Sequence, residues 1–226
     1  MDALTNFLLH WQNFLIQNGP DFAAALWVTI RISLVAIFCG LVLGFAAELG
    51  RRICPWLRVP VACYVEFFRG TPLLIQLYLL YYGGPRIGLV LDAEPAGMLG
   101  MSLYAAAYFC EIFRAGFESI PEGQREAAHC LGIRPWRRLW RIELPQMAQI
   151  VMPPAVNQII TLIKDSAVLS IITVAELTKT ATRIMNISFE IVMPLCLLAV
   201  LYWIISEAVA VVSGKIETRL TRHLAR

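Results

Sequence analysis

Charge is scarce in this chain. Only 15% of its 226 residues are Asp, Glu, Lys or Arg, whereas 58% are hydrophobic and the mean hydropathy is +0.66. So few charges cannot cover that apolar surface in water, which excludes an ordinary soluble domain and points to a bilayer as solvent. Metal-ligand spacing is also missing. The three histidines (His10, His129 and His223) lie on distant segments, and the six cysteines include no C-x-x-C pair. This excludes a zinc site and makes a disulfide framework unexpected. No G-x-x-x-x-G-K-[ST] loop occurs: Gly214-Lys215 is followed by Ile216 and lacks the leading glycine. The chain is therefore expected not to hydrolyse ATP alone. No His/Asp/Ser grouping or H-E-x-x-H motif is present either, which removes the basis for an intramembrane enzyme. The start carries Asp2 where a signal peptide would be basic, so the first span is expected to remain as an anchor.

What is present is a series of long apolar runs. Five are candidate spans: 22–49, 59–82, 96–117, 154–174 and 187–212. About 20 such residues cross a ~30 Å hydrocarbon core. The expected fold is an all-α integral membrane protein, one transmembrane domain over 1–226. Residues 1–20 read as an amphipathic stretch on the outer face, with Trp11 and Phe14 as interfacial anchors. Basic residues are unevenly spread. Arg51, Arg52 and Arg58 follow the first run, Arg125, Arg134, Arg137, Arg138 and Arg141 follow the third, and Lys215, Arg219, Arg222 and Arg226 close the chain. Residues 1–21 hold no Lys or Arg. The positive-inside rule then puts the N-terminus outside and the C-terminus in the cytoplasm.

Polar residues inside the runs are the candidates for function. Gly40-x-x-x-Gly44 permits close helix approach, either within the chain or to another subunit. Arg31 is expected to snorkel outward. Glu66 and Arg69 share a helix face at a spacing of three, as do Glu111 and Arg114, so the two pairs can make one cluster. Pro72 should bend its helix. Counting from Pro154 puts Lys164-Asp165-Ser166 about 15 Å deep, where charges mark either a transport path or a structural clasp. Glu207 reads as a packing or pairing residue near the inner side.

A polar insert, about 119–145, separates the third and fourth runs. Pro121 and Glu122 suit a helix start, and Gly132 suits a left-handed stop. Pro135 opens a second short helix, 136–143, that Pro145 is expected to end. The string Gln-Arg-Glu-Ala-Ala-x-x-Leu-Gly-Ile has a helix-turn-helix look, but spans adjoin it on both sides, so it lies against a membrane and not on nucleic acid.

The insert also fits E-A-A-x3-G-x9-I-x-L-P at every fixed position: Glu126, Ala127, Ala128, Gly132, Ile142, Leu144 and Pro145. That signature resembles the permease subunits of bacterial ABC importers, of the five-span MetI-like (type I) kind. Glu66 to Gln76 (E-F-F-R-G-T-P-L-L-I-Q), Ser119 to Gln124 and Leu162 to Ser166 resemble the polar amino acid branch, so the likeness runs from about Thr29 to Leu201. The loops around Asp92 and 179–190 match less and leave the substrate open.

The resemblance implies a multi-pass subunit of the bacterial inner membrane and not an enzyme. Its expected partners are an ATP-binding cassette ATPase dimer, a second permease (a copy or a sister), a periplasmic or lipid-anchored amino acid-binding protein, and the bilayer. No cofactor is expected on this chain; ATP and Mg belong to the partner ATPase. Gly123, Glu126, Ala127, Ala128 and Gly132 would form the coupling surface, with both alanines presented to the ATPase. Lys164, Asp165, Ser166, Glu66 and Arg69 would line the substrate pathway. An ion-coupled secondary amino acid carrier is the alternative, though such a carrier needs no cytoplasmic docking helix.

Overall fold

The computed structural model describes the backbone of residues 2–221 and the side chains of residues 5–215. Arg219, Arg222, His223 and Arg226 therefore lie outside the described side chains. The described residues are mostly helical, with no strand among them. The helices are α1 (Asp2–Ile53), α2 (Arg58–Gly70), α3 (Leu73–Tyr78), α4 (Ala93–Glu118), α5 (Glu122–Cys130), α6 (Pro135–Arg138), α7 (Leu144–Asp165), α8 (Leu177–Ser188) and α9 (Val192–Thr221). By length and composition, four stretches can cross a membrane: Thr5–Ile53, Ala93–Glu118, Pro135–Ile172 and Val192–Lys215.

The run expected at 59–82 is not one helix. Thr71 is extended (φ −116°, ψ 145°), the conformation that a following proline imposes, and this breaks α2 from α3 at Pro72. In contrast, the prolines at 145, 153 and 154 do not stop α7. A wide π-turn over Leu139–Glu143 precedes that helix, and the Leu144 N–H reaches back to the Leu139 carbonyl. The wide turn admits the Pro145 ring in the first turn of α7, where a missing donor costs least. Because α7 starts at Leu144, the count from Pro154 that set the depth of Lys164 does not begin at a helix end.

The chain divides into two compact units. The first comprises Met1–Ala36, Leu73–Met101 and Leu162–Glu207. Its core sets Phe14, Phe22 and Ala25 of α1 against Leu177, Ala181 and Ile184 of α8. Phe14 is only 5% exposed, so it is a core residue and not the interfacial anchor expected; Trp11 packs at the cluster's edge. The cause is α8, an amphipathic helix in a segment that reads as a loop. Glu176 caps it by accepting from the Thr178 and Lys179 N–H groups, each at 2.7 Å. Arg183 on α8 reaches Asp21 at 2.6 Å, and Arg31, still exposed, pairs with Glu94 in the first turn of α4.

The second unit comprises Ile37–Pro72, Ser102–Thr161 and Ala208–Arg226. Here the glycine step of α1 meets α4 of the same chain. A Cβ on Gly40 would lie 2.6 Å from Ala105 Cβ, and one on Gly44 would lie 2.8 Å from both the Ala106 carbonyl and Phe109 Cβ. Internal packing therefore accounts for both glycines. Phe45 continues the contact, edge-on to Phe113 and stacked on Phe117.

Candidate functional site

The insert is held by a salt-bridged mount. Buried Glu143 lies 2.9 Å from Arg138 Nε and 3.5 Å from Arg125 Nε. Neither Nε–H is aligned for a hydrogen bond, so the attraction is ionic. Arg125 also donates through Nη2 to the Phe117 carbonyl at 2.6 Å, fastening α5 to the end of α4. Glu143 is an unspecified position of the signature, and its place in the apolar run Ile142-Glu143-Leu144-Pro145 is the signal that sequence reading passed over. At its other end, α5 stops in a Schellman turn. Gly132 takes φ +66°, its N–H meets the His129 carbonyl at 2.9 Å, and the Ile133 N–H meets the Ala128 carbonyl at 3.0 Å. The expected left-handed stop is thus observed.

This mount turns one face of α5 outward. Gly123, Glu126, Ala127 and Gly132 are exposed, as are Leu131 beside them and Trp136 on α6. Ala128 is 2% exposed and points inward, so the two alanines do not share a surface as expected. Helical geometry explains the split. Adjacent residues lie ~100° apart around the axis, and the Arg125–Phe117 bond fixes which side faces the protein.

The charges of the second unit form a cluster, with one substitution in the expected set. Arg114 pairs with Glu111, and its Nη1 lies 2.6 Å from Glu118. Arg69 joins at 3.8 Å from Glu111 and stands 5.5 Å over the Tyr108 ring. Glu66, one turn back along α2, is exposed and makes no ion pair among the described residues.

Beside this cluster lies a cavity of about 470 Å³. Arg69, Tyr108 and Glu111 supply one wall, and Asn157, Gln158 and Thr161 of α7 supply another. Gln158 is 8% exposed, and its Nε2 has no hydrogen-bond partner among the described residues. That nitrogen is itself buried, so Gln158 lines the cavity through its other atoms. Sequence reading missed these three α7 residues, although Asn157-Gln158 is a polar step in an apolar run.

In the first unit, the Lys164-Asp165-Ser166 triplet ends α7. Its members face different surroundings: Lys164 is exposed, Asp165 half-buried and Ser166 fully buried. Ser166 Oγ donates to the Ile163 carbonyl at 2.6 Å and lies 3.4 Å from the Tyr202 hydroxyl. Tyr202 in turn donates to Glu176 at 3.1 Å. Glu176 is fully buried between the candidate spans, and that burial pushes its carboxyl above the ordinary range. Ser166 is therefore a node linking α7 to α8 and α9, while Lys164 and Asp165 retain access.

Comparison with known proteins gives these features a context. The family described as binding-protein-dependent transport system inner membrane component matches residues 22–222. The probable amino-acid ABC transporter permease protein YckA of Bacillus subtilis (strain 168) is 36% identical over 210 residues, covering 92% of this chain and 93% of that protein. The L-cystine transport system permease protein TcyB of the same organism is 35% identical over 217 residues, covering 94% and 92%. Among solved structures, a chain of an amino acid ABC transporter crystallised with histidines superposes with a TM-score of 0.84 at 29% identity, covering 91% of this chain and 96% of that one. An inward-facing MetNI methionine ABC transporter chain matches in fold, with a TM-score of 0.75 at 20% identity over 88% of this chain and 95% of that one.

Proposed function

The chain belongs to the family of binding-protein-dependent transport system inner membrane components, and from that premise we propose that it is the membrane-spanning subunit of an ATP-driven importer for a polar amino acid. The observation that carries this reading is the exposed face of α5, with Glu126 and Ala127 outward on a helix that Glu143 and Arg125 hold rigid. A partner ATPase docks there: the small Ala127 lets it approach, Glu126 offers a charge, and Gly132 sets the turn that ends the contact. Ala128 serves from behind, by fitting α5 onto its mount. The chain is the transport subunit and not the enzyme; ATP and Mg bind the partner. A second permease completes the pathway, and a periplasmic or lipid-anchored binding protein delivers the substrate. The protein sits in the inner membrane with its N-terminus outside and the α5 surface in the cytoplasm.

The substrate is a zwitterion, so its pathway must offer both charge types. The second-unit cavity offers them through Arg69 and Glu111, beside the polar side chains of Asn157 and Thr161. Glu66 is exposed on the same helix as Arg69, and we assign it to the pathway with that neighbour. The first unit offers a second station in Lys164 and Asp165, with Ser166 holding the helix end. Alternating access then exposes these stations to each side in turn.

The test is uptake of labelled amino acids into proteoliposomes carrying the chain with its ATPase, second permease and binding protein. ATP depletion stops uptake, and collapse of the proton gradient leaves it running. The reverse pattern would establish an ion-coupled carrier. Asp165→Asn lowers uptake while assembly is retained; an Asp165→Asn transporter with normal uptake would remove the direct contact at that station.

A further inference from the structure

A second cavity, of about 500 Å³, lies in the second unit behind the coupling helix. Four guanidinium groups line it, Arg52, Arg58, Arg125 and Arg138, against the single carboxylate of Glu143. Glu143 is already shared by Arg125 and Arg138, and Glu48 is shared by Arg51 and Arg52. Arg58 has no carboxylate partner among the described residues; its Nε donates to the Arg51 carbonyl at 3.5 Å. The groove thus holds more cationic than anionic charge, gathered from three parts of the chain. Its rim is apolar and open: Ile53 is 73% exposed and Trp136 62% exposed, while Arg52 stacks on Phe117 at 4.4 Å. Tryptophan and arginine together are the side chains that settle at the headgroup level of a bilayer.

We propose that this groove is a binding site for a phosphate ester, the headgroup phosphate of an anionic lipid. The guanidinium fork matches phosphate oxygens, and Arg58 is the lining guanidinium with no carboxylate to neutralise it. The exposed Ile53 and Trp136 walls favour the lipid over a soluble anion, since a free phosphate gains nothing from apolar surface. A seated lipid would bridge the end of α1 to the mount of α5. This inference rests on the chain being a membrane subunit but not on its substrate or its energy source, so ATP-driven uptake can fail while the site stands.

The test is native mass spectrometry of the full chain, purified in mild detergent from an equal mixture of phosphatidylglycerol and phosphatidylcholine. The wild type retains phosphatidylglycerol in preference. Arg58→Gln, which orphans no carboxylate, lowers that retention about five-fold, the factor one cation contributes beside an anionic lipid. Arg58→Lys keeps most of it. Arg137→Gln, which removes the same charge from an exposed residue outside the groove, leaves it unchanged. In a second arm, delipidated protein is heated in inorganic phosphate or in chloride at equal ionic strength. Phosphate stabilisation that depends on Arg58, without lipid preference, assigns the same seat to a soluble phosphate. Equal losses in Arg58→Gln and Arg137→Gln, or no Arg58 dependence in either arm, would overturn the site.

Discussion

Ala127 and Ala128 are adjacent, chemically identical and opposed in their surroundings, which makes them a sharp test of the coupling surface. Ala127 is exposed, whereas Ala128 is 2% exposed. Replacing Ala127 with Trp adds bulk on the outer face and displaces nothing in the protein, so its stability should move by less than about 0.5 kcal/mol. A docking partner, however, would meet an indole where it now meets a methyl group. Losing a central interface contact costs at least about 2 kcal/mol, or about thirty-fold in affinity. Ala128→Leu reverses the pattern. It adds three carbons to a filled site behind α5, and overpacking of that kind costs about 1–3 kcal/mol. The assay pairs thermal unfolding of the purified chain with co-purification of its ATPase. Ala127→Trp should unfold like the wild type and lose the ATPase, while Ala128→Leu should unfold at a lower temperature. If Ala127→Trp keeps its ATPase in stoichiometric amount, the outward face of α5 is not the docking surface. If Ala128→Leu unfolds normally, the inward assignment is wrong.

Three other outcomes follow from the same geometry. Gly44→Ala should destabilise the chain by about 1–3 kcal/mol, because its Cβ would meet the Ala106 carbonyl and Phe109 Cβ at 2.8 Å, groups that no rotamer change can move. Gly214→Ala, with nothing within 4 Å, is the control, and thermal unfolding of both reads the difference. Glu143→Gln removes the charge that Arg125 and Arg138 share; it should cost about 1–3 kcal/mol and speed hydrogen exchange in α5 and α6. Glu176 carries a carboxyl raised by burial, so its contribution to stability is complete below the ordinary carboxylate range and fades as pH rises through the elevated value. The unfolding temperature of the wild type relative to Glu176→Gln, measured from about pH 4 upward, should fall as pH rises.

Much of the insert between the third and fourth apolar runs was legible because its signals are local. Gly132 stops α5 for a reason written in one residue: only a position without a Cβ takes φ +66° without strain. The apolar runs likewise declare a bilayer through composition alone, whatever the helices do inside it. Proline was less dependable. Pro72 breaks a helix as its chemistry predicts, yet Pro145 enters one, because a π-turn formed upstream makes room for its ring. Nothing in the local sequence distinguishes these two cases.

The sequence by itself determined the solvent and the family, since each depends on composition or on fixed spacings along the chain. Only the tertiary structure decided which way the residues face. It turned Ala128 in and left Ala127 out, brought Arg69 to Glu111 while Glu66 stayed exposed, and buried Phe14 under a helix that reads as a loop. It also gathered Arg52, Arg58, Arg125 and Arg138 around one groove. The physical reason is common to all of these. A helix specifies spacing along its own axis, but its rotation is set by what packs against it, and those contacts come from residues far away in the chain.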